Sequence, residues 1–178
     1  RKKMLSSLKK STFDLLIIGG GVTGAGIALD AASRGLKTAL VEKKDFASGT
    51  SSRSTKLVHG GLRYLKNFDF GTVRLFGKER ITLQKNAPHL SYPQSMLLPF
   101  YKKKGLSSWK TTFGVFLYEL LAGVKKKERF RLLNHLSVVK KEPLLNRLQT
   151  TGGCLYTEYQ TNDSRLVIEL IKTSLLYD

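Results

Sequence analysis

Acidic residues are scarce in this chain: 13 stand against 31 lysines and arginines in 178 residues, giving a formal charge of +18 and an isoelectric point near 10.1. Such an imbalance favours phosphates, nucleic acid or an anionic membrane surface, without choosing among them. Cysteine occurs once, at Cys154, which excludes an internal disulfide and a cysteine-based metal cluster and suits a reducing cytosol. A lone thiol of this kind is expected as a small core residue. No apolar run is long enough to cross a bilayer. The longest strongly apolar helical candidate, residues 109–123, carries Lys110 and Glu119 and falls short of the roughly 20 residues a span needs. The opening RKKMLSSLKKSTF is too poor in apolar residues for the core of a secretory signal and reads as a mobile basic arm. His89 and His135 have no acid and second histidine at metal spacing, so no metal is expected. There is no internal repeat. The lysine runs Lys102–Lys104 and Lys125–Lys127 read as solvated turns.

What is present supports a folded domain, since 41% apolar content is enough for a core. Phe13–Ile18 (FDLLII) is a short apolar run of the kind that buried parallel strands use, and GGGVTG follows it. Val22–Arg34 reads as a helix stopped by Gly35, and Lys37–Glu42 as a second strand, which makes a right-handed βαβ unit. Asp45–Gly61, rich in Gly, Ser and Thr, is a loop, functional or disordered. Gly71–Asn86 predicts a helix ending before Pro88, and Ser95–Tyr101 a strand interrupted by Pro99. Trp109, Phe113, Phe116, Leu117, Leu120 and Leu121 share one helical face, which core packing explains most simply. Gly152–Gln160 reads as a strand, and Asp163 as the cap of a helix from about Ser164.

Gly19, Gly21 and Gly24 have the G-x-G-x-x-G spacing that allows a tight turn, close approach to a pyrophosphate and close packing of helix on strand. Glu42, ending the next strand, is placed to accept hydrogen bonds from an adenosine ribose and to repel a ribose phosphate, which disfavours NADP. This geometry admits FAD and NAD equally. The following stretch SSRSTKLVHGGLRYL adds hydroxyls at Ser51, Ser52, Ser54 and Thr55, charge at Arg53 and Lys56, and backbone access at Gly60 and Gly61, as a long dinucleotide would require.

GGGVTGAGIALDAASRG (Gly19–Gly35) and FASGTSSRSTKLVHGGLRYL (Phe46–Leu65), continuing through KERITLQKNAPHL, LLAG and NDSRLVIE, resemble the FAD-dependent glycerol-3-phosphate dehydrogenases and oxidases. The resemblance implies a D-amino-acid-oxidase-like α/β architecture: a doubly wound, Rossmann-like FAD-binding domain interleaved with an α+β substrate domain. It covers an N-terminal part of the family only, so the fold is expected to be incomplete here. The implied organisation is a basic arm at 1–12, an FAD-binding βαβ unit with its cofactor and substrate loop at 13–90, part of the substrate domain at 91–162, and a helix returning to the FAD domain at 163–178. The family's familiar D-A-R-L pattern stands here as Asp163, Ser164, Arg165 and Leu166.

Carried over by position, Gly19, Gly21 and Gly24 would hold the FAD pyrophosphate, Glu42 the ribose, and Thr50, Ser51, Ser52, Ser54, Lys56, His59, Gly60 and Gly61 would line the cofactor. Arg63 and Tyr64, in the HGGLRY element, would face glycerol 3-phosphate. The implied reaction is oxidation of sn-glycerol 3-phosphate to dihydroxyacetone phosphate, with electrons passed to quinone or oxygen, and nothing in these residues identifies the base. Asp30 is expected to be structural. The implied setting is cytoplasmic, with the inner face of the cell membrane as a candidate docking surface and self-association into a homo-oligomer left open. Two alternatives stand beside this: a truncated, inactive FAD-binding fragment, and a basic nucleic-acid- or lipid-binding module. Charge alone supports the last, but no base-stacking motif or zinc-finger spacing accompanies it, so no nucleic acid is expected as partner.

Overall fold

The computed structural model describes residues 2–102 and 107–177, apart from the side chain of Lys3. In chain order its helices and strands are α1 (Lys2–Lys10), β1 (Leu15–Ile18), α2 (Val22–Ser33), β2 (Thr38–Val41), β3 (Leu57–Val58), α3 (Phe70–Asn86), β4 (Ser91–Tyr101), α4 (Ser108–Leu121), β5 (Arg131–Asn134), α5 (His135–Lys141), β6 (Thr150–Thr161) and α6 (Asp163–Ser174). They form two compact units, Arg1–Lys56 with Thr161–Asp178, and Leu57–Gln160.

In the first unit the apolar runs LLII and TALV pair in parallel, Leu15 opposite Thr38 through Ile18 opposite Val41, with α2 as the crossover. The run of small residues in α2 lets it pack closely, burying Ala25, Ala28, Ala31 and Ala32, and Gly35 leaves the helix in the left-handed region at φ +76°. Ala25 and Ala47 form a core with Val167 of α6, backed by Leu170 and Ile171. Alternation along β1 buries Ile17 and leaves Leu16 and Ile18 exposed, Ile18 at 83%.

The second unit is built around β6, which pairs antiparallel with β3 (Leu57 opposite Gln160) and with β5 (Arg131 opposite Leu155, Asn134 opposite Gly152), and carries β4 on its other side. Helices α3 and α4 meet where Gly77 faces Ala122: a Cβ on Gly77 would lie 2.4 Å from the Ala122 Cα. Val73, Tyr118 and Ala122 form the core there, while Phe100, Val115 and Cys154 form another. Cys154 is a core residue as expected, and burial pushes its thiol up to about 11.

Four expectations are corrected. The N-terminal arm is helical over Lys2–Lys10, a segment without Gly or Pro that is made largely of good helix formers, with Lys9 and Lys10 in its last turn. Pro99 does not interrupt β4, nor does Pro93, because β4 is the outer strand of its sheet, where a missing donor is tolerated. The aromatic face of α4 is not a core face. Trp109, Phe113, Phe116 and Leu120 are exposed, and the helix instead buries Val115, Tyr118 and Glu119, with Ala122 at its end making the close approach to Gly77 of α3. Finally, Asn162, not Asp163, caps α6, accepting the Arg165 N–H at 3.1 Å. Of the two lysine runs, residues 103 and 104 lie outside the described residues, while Lys126–Glu128 forms a 3-10 turn.

Candidate functional site

In the first unit the chain leaves β1 at Gly19, whose φ of +113° is open only to glycine. The Gly19 N–H donates to the Val41 carbonyl at 2.8 Å, fixing the turn against β2. Gly24 then comes so close that a Cβ there would lie 1.9 Å from the Gly19 carbonyl oxygen. Gly20, a position the spacing rule does not single out, is also tight, since a Cβ would fall 2.5 Å from Cδ1 of the Phe46 side chain. The sequence signal for it was only the unbroken GGG. Gly21 is the N-cap of α2 and offers no side-chain cap, so the amides of the first turn of the helix have no partner within it. One of them, Val22 N–H, donates to the buried Ser51 hydroxyl at 3.1 Å.

Glu42 follows β2 and reaches back to this turn. It accepts the Gly20 N–H at 2.7 Å through Oε2 and the Lys44 N–H at 2.7 Å through Oε1. Those two amides, Lys44 first, hold its carboxyl below the usual carboxylate value. Each oxygen keeps lone pairs for a further donor. The site therefore combines a positive helix terminus and free amides with an ionised acid at its side. That arrangement fits a pyrophosphate on the backbone and a hydroxyl-bearing sugar on the acid.

The 3-10 turn Thr50–Ser52 follows: Ser51 braces α2, Ser52 donates to the Gly49 carbonyl at 3.0 Å, and Thr50 is exposed. Ser54 donates to the Asp163 carboxylate and accepts the Lys56 N–H at 3.1 Å. Lys56 sits at φ +61°, a region costly for a residue with a Cβ, and extends its ammonium to the Ser52 carbonyl at 3.2 Å. Its carbonyl accepts the Thr161 N–H at 2.9 Å, tying this segment to the end of β6. Asp30 forms an exposed pair with Arg34, consistent with a structural role.

In the second unit His59 is exposed and Gly60 and Gly61 are buried, Gly61 at φ +87°. The exposed Arg63 donates from Nη2 to the Tyr64 hydroxyl at 3.0 Å and lies over the Tyr64 ring at 4.9 Å. Behind Gly60 is a group that sequence reasoning missed: Arg80 of α3, Tyr118 of α4 and Glu158 of β6, all fully buried. Arg80 Nη1 donates to the Tyr118 hydroxyl at 2.9 Å, to Glu158 Oε2 at 3.2 Å and to the Thr157 carbonyl at 3.3 Å. Tyr118 donates to Glu158 Oε1 at 3.1 Å, and burial pushes its hydroxyl far up, so it remains a donor. Tyr159, whose ring lies under the Arg80 guanidinium at 4.9 Å, donates to Glu128 at 2.8 Å and is pushed up to about 12, first by burial. Among the described residues no group of His, Cys, Asp and Glu could hold a metal, and no helix is long and apolar enough to cross a membrane.

Residues 14–175 match the model of a family described as FAD dependent oxidoreductase (DAO). The chain belongs to that family. A Bacillus subtilis protein named aerobic glycerol-3-phosphate dehydrogenase is 53% identical over 177 residues, which are 99% of this chain and 32% of that protein. A crystal structure of the glycerol-3-phosphate dehydrogenase from Bacillus halodurans complexed with FAD is similar at TM-score 0.72 and 41% identity, over 99% of this chain and 27% of that one. L-alpha-glycerophosphate oxidase from Mycoplasma pneumoniae with FAD bound shares the fold, at TM-score 0.66 and 20% identity, over 94% and 43% of the two chains. The fold is thus the D-amino-acid-oxidase-like FAD-binding architecture, and the chain spans about a third of the length of the curated relative it matches.

Proposed function

We propose that this chain carries FAD-binding machinery of an enzyme that oxidises sn-glycerol 3-phosphate to dihydroxyacetone phosphate. The observation that carries the reading is the glycine turn of the first unit, where Gly24 presses on Gly19 and the first amides of α2 open beside Glu42. The identity to a glycerol-3-phosphate dehydrogenase supports the substrate. Gly19, Gly21 and Gly24 shape the turn that presents the first amides of α2 to the pyrophosphate, and Glu42 accepts hydrogen bonds from the ribose. By their positions in the family's motifs, Thr50, Ser51, Ser52, Ser54, Lys56, His59, Gly60 and Gly61 are the residues that line the cofactor. When bound, FAD supplies a two-electron acceptor for the carbon that bears the secondary alcohol of the substrate. Arg63 binds phosphate oxygens through its planar fork. Because the Tyr64 oxygen already accepts from Arg63, its own proton is free for a substrate oxygen. Quinone or oxygen takes the electrons onward.

The test is the visible spectrum of the flavin-loaded protein, followed without oxygen as glycerol 3-phosphate is added. Bleaching of the flavin band is expected. A bound flavin that glycerol 3-phosphate leaves oxidised would overturn the substrate assignment.

The same reading extends to a surface. The protein is cytoplasmic and docks on anionic lipid at the inner face of the cell membrane, through Trp109, Phe113, Phe116 and Leu120, which are 69%, 60%, 51% and 68% exposed. These aromatics frame, with Phe100, Phe130 and Leu132, an apolar groove of about 620 Å³. The +18 charge adds attraction to an anionic leaflet. Co-sedimentation with vesicles should require anionic lipid and weaken on Phe113→Ser. Binding indifferent to lipid charge would refute it.

A further inference from the structure

The segment His59–Gly60–Gly61 lies directly on the buried Arg80–Tyr118–Glu158 group. Gly60 N–H donates to Glu158 Oε2 at 3.1 Å. A Cβ on Gly60 would fall 2.0 Å from the Tyr118 hydroxyl oxygen and 3.1 Å from Arg80 Nη1. A Cβ on Gly61 would lie 3.2 Å from Phe76 and 3.5 Å from the Val73 Cα, both on α3, a looser fit than at Gly60. Pairing of Val58 with Tyr159 brings the next residues of the chain alongside Glu158. The backbone is thus fixed from one side by β3 and from behind by three side chains drawn from α3, α4 and β6.

A buried ion pair is a poor device for stability alone, because desolvation offsets most of its attraction. Its hydrogen bonds here converge on one backbone amide. Glu158 oxygens accept from Gly60, Arg80 and Tyr118, so the carboxylate has little freedom to move, and neither has the peptide it holds. Three and four residues further on are Arg63 and Tyr64, carried on a 3-10 turn that begins at Leu62 and is capped by Gly61.

We propose that Arg80, Tyr118 and Glu158 are positioning residues that set the backbone of His59–Gly61 and, through it, the presentation of Arg63 and Tyr64 to a phosphate-bearing substrate. The kinetic side of this rests on the functional reading above, and the structural side does not. None of the three touches the substrate; each acts through the Gly60 peptide.

Tyr118→Phe is the informative variant because it removes one hydroxyl and keeps the buried ring. In the flavin-loaded protein it should speed hydrogen exchange of the Gly60 amide about fivefold to tenfold, as loss of one supporting hydrogen bond implies. It should also raise KM for glycerol 3-phosphate several-fold while kcat changes less than twofold. Val138→Ala, a core change on α5, serves as the control for lost stability: it should lower the melting temperature at least as much and move neither readout. Unchanged Gly60 exchange in Tyr118→Phe, or equal changes in both variants, would overturn the proposal. If the wild-type protein does not turn over glycerol 3-phosphate, the functional reading falls, and Gly60 exchange alone decides whether the network positions this segment.

Discussion

The first unit makes its polar site from backbone, and the second makes its own from side chains. Around Gly19–Gly24 the binding groups are main-chain amides, with Glu42 and Ser51 bracing them near the surface. Around Gly60 the polar groups are an arginine, a glutamate and a tyrosine sealed in the core. The two constructions fail differently. A backbone site is damaged by added volume, whereas a side-chain network is damaged by removing one partner and leaving the others buried and unpaired.

The largest effect should follow from Glu158→Leu, which strands the Arg80 charge and should cost about 3–5 kcal/mol in denaturant unfolding. Adding Arg80→Met should restore much of that loss; no restoration would mean that the pair is not the operative unit. Next is Gly24→Ala, where the new methyl meets the Gly19 carbonyl and should cost about 1–3 kcal/mol and strip bound flavin, read from the ratio of visible to ultraviolet absorbance. Ser51→Ala should cost about 1 kcal/mol and weaken flavin retention modestly, since it frees one amide of α2 while keeping the turn. Glu42 gives a pH signature: its folded value is depressed, so its stabilising contribution is complete above the ordinary carboxylate range and is lost only as pH falls through the lowered value. The Gly20 amide resonance should therefore hold its position to more acidic pH than a free glutamate would allow. Smallest of all, Asp30→Ala should change stability by about 0.5 kcal/mol or less, because its pair with Arg34 is exposed.

The same contrast explains what could be read from the sequence. The βαβ unit was legible because all its signals are local: apolar runs, a glycine triplet between them and an acid at the next strand end. The network behind Gly60 was not, because Arg80, Tyr118 and Glu158 are separated by 38 and 40 residues in sequence and no spacing rule joins them. The orientation of α4 was misread for another reason. Apolar bulk marks Trp109, Phe113 and Phe116 as inward, but packing against α3 selects the side with Ala122, where backbones can approach. At the start of α6 two good caps stand together, and their geometry divides the work: Asn162 reaches the Arg165 amide while Asp163 takes the Ser54 hydroxyl.

The prolines of β4 have a consequence for self-association. Lys102 N–H points to Gln149 and the Leu98 carbonyl lies over Gly153, so even-numbered residues of this strand face β6 and odd-numbered ones face outward. Pro93 and Pro99 therefore both fall on the open side, where each removes a donor. Between them only Ser95 and Leu97 can offer an N–H to an intruding chain. A fibril that tried to grow from this edge would find a template just two donors long, flanked by gaps.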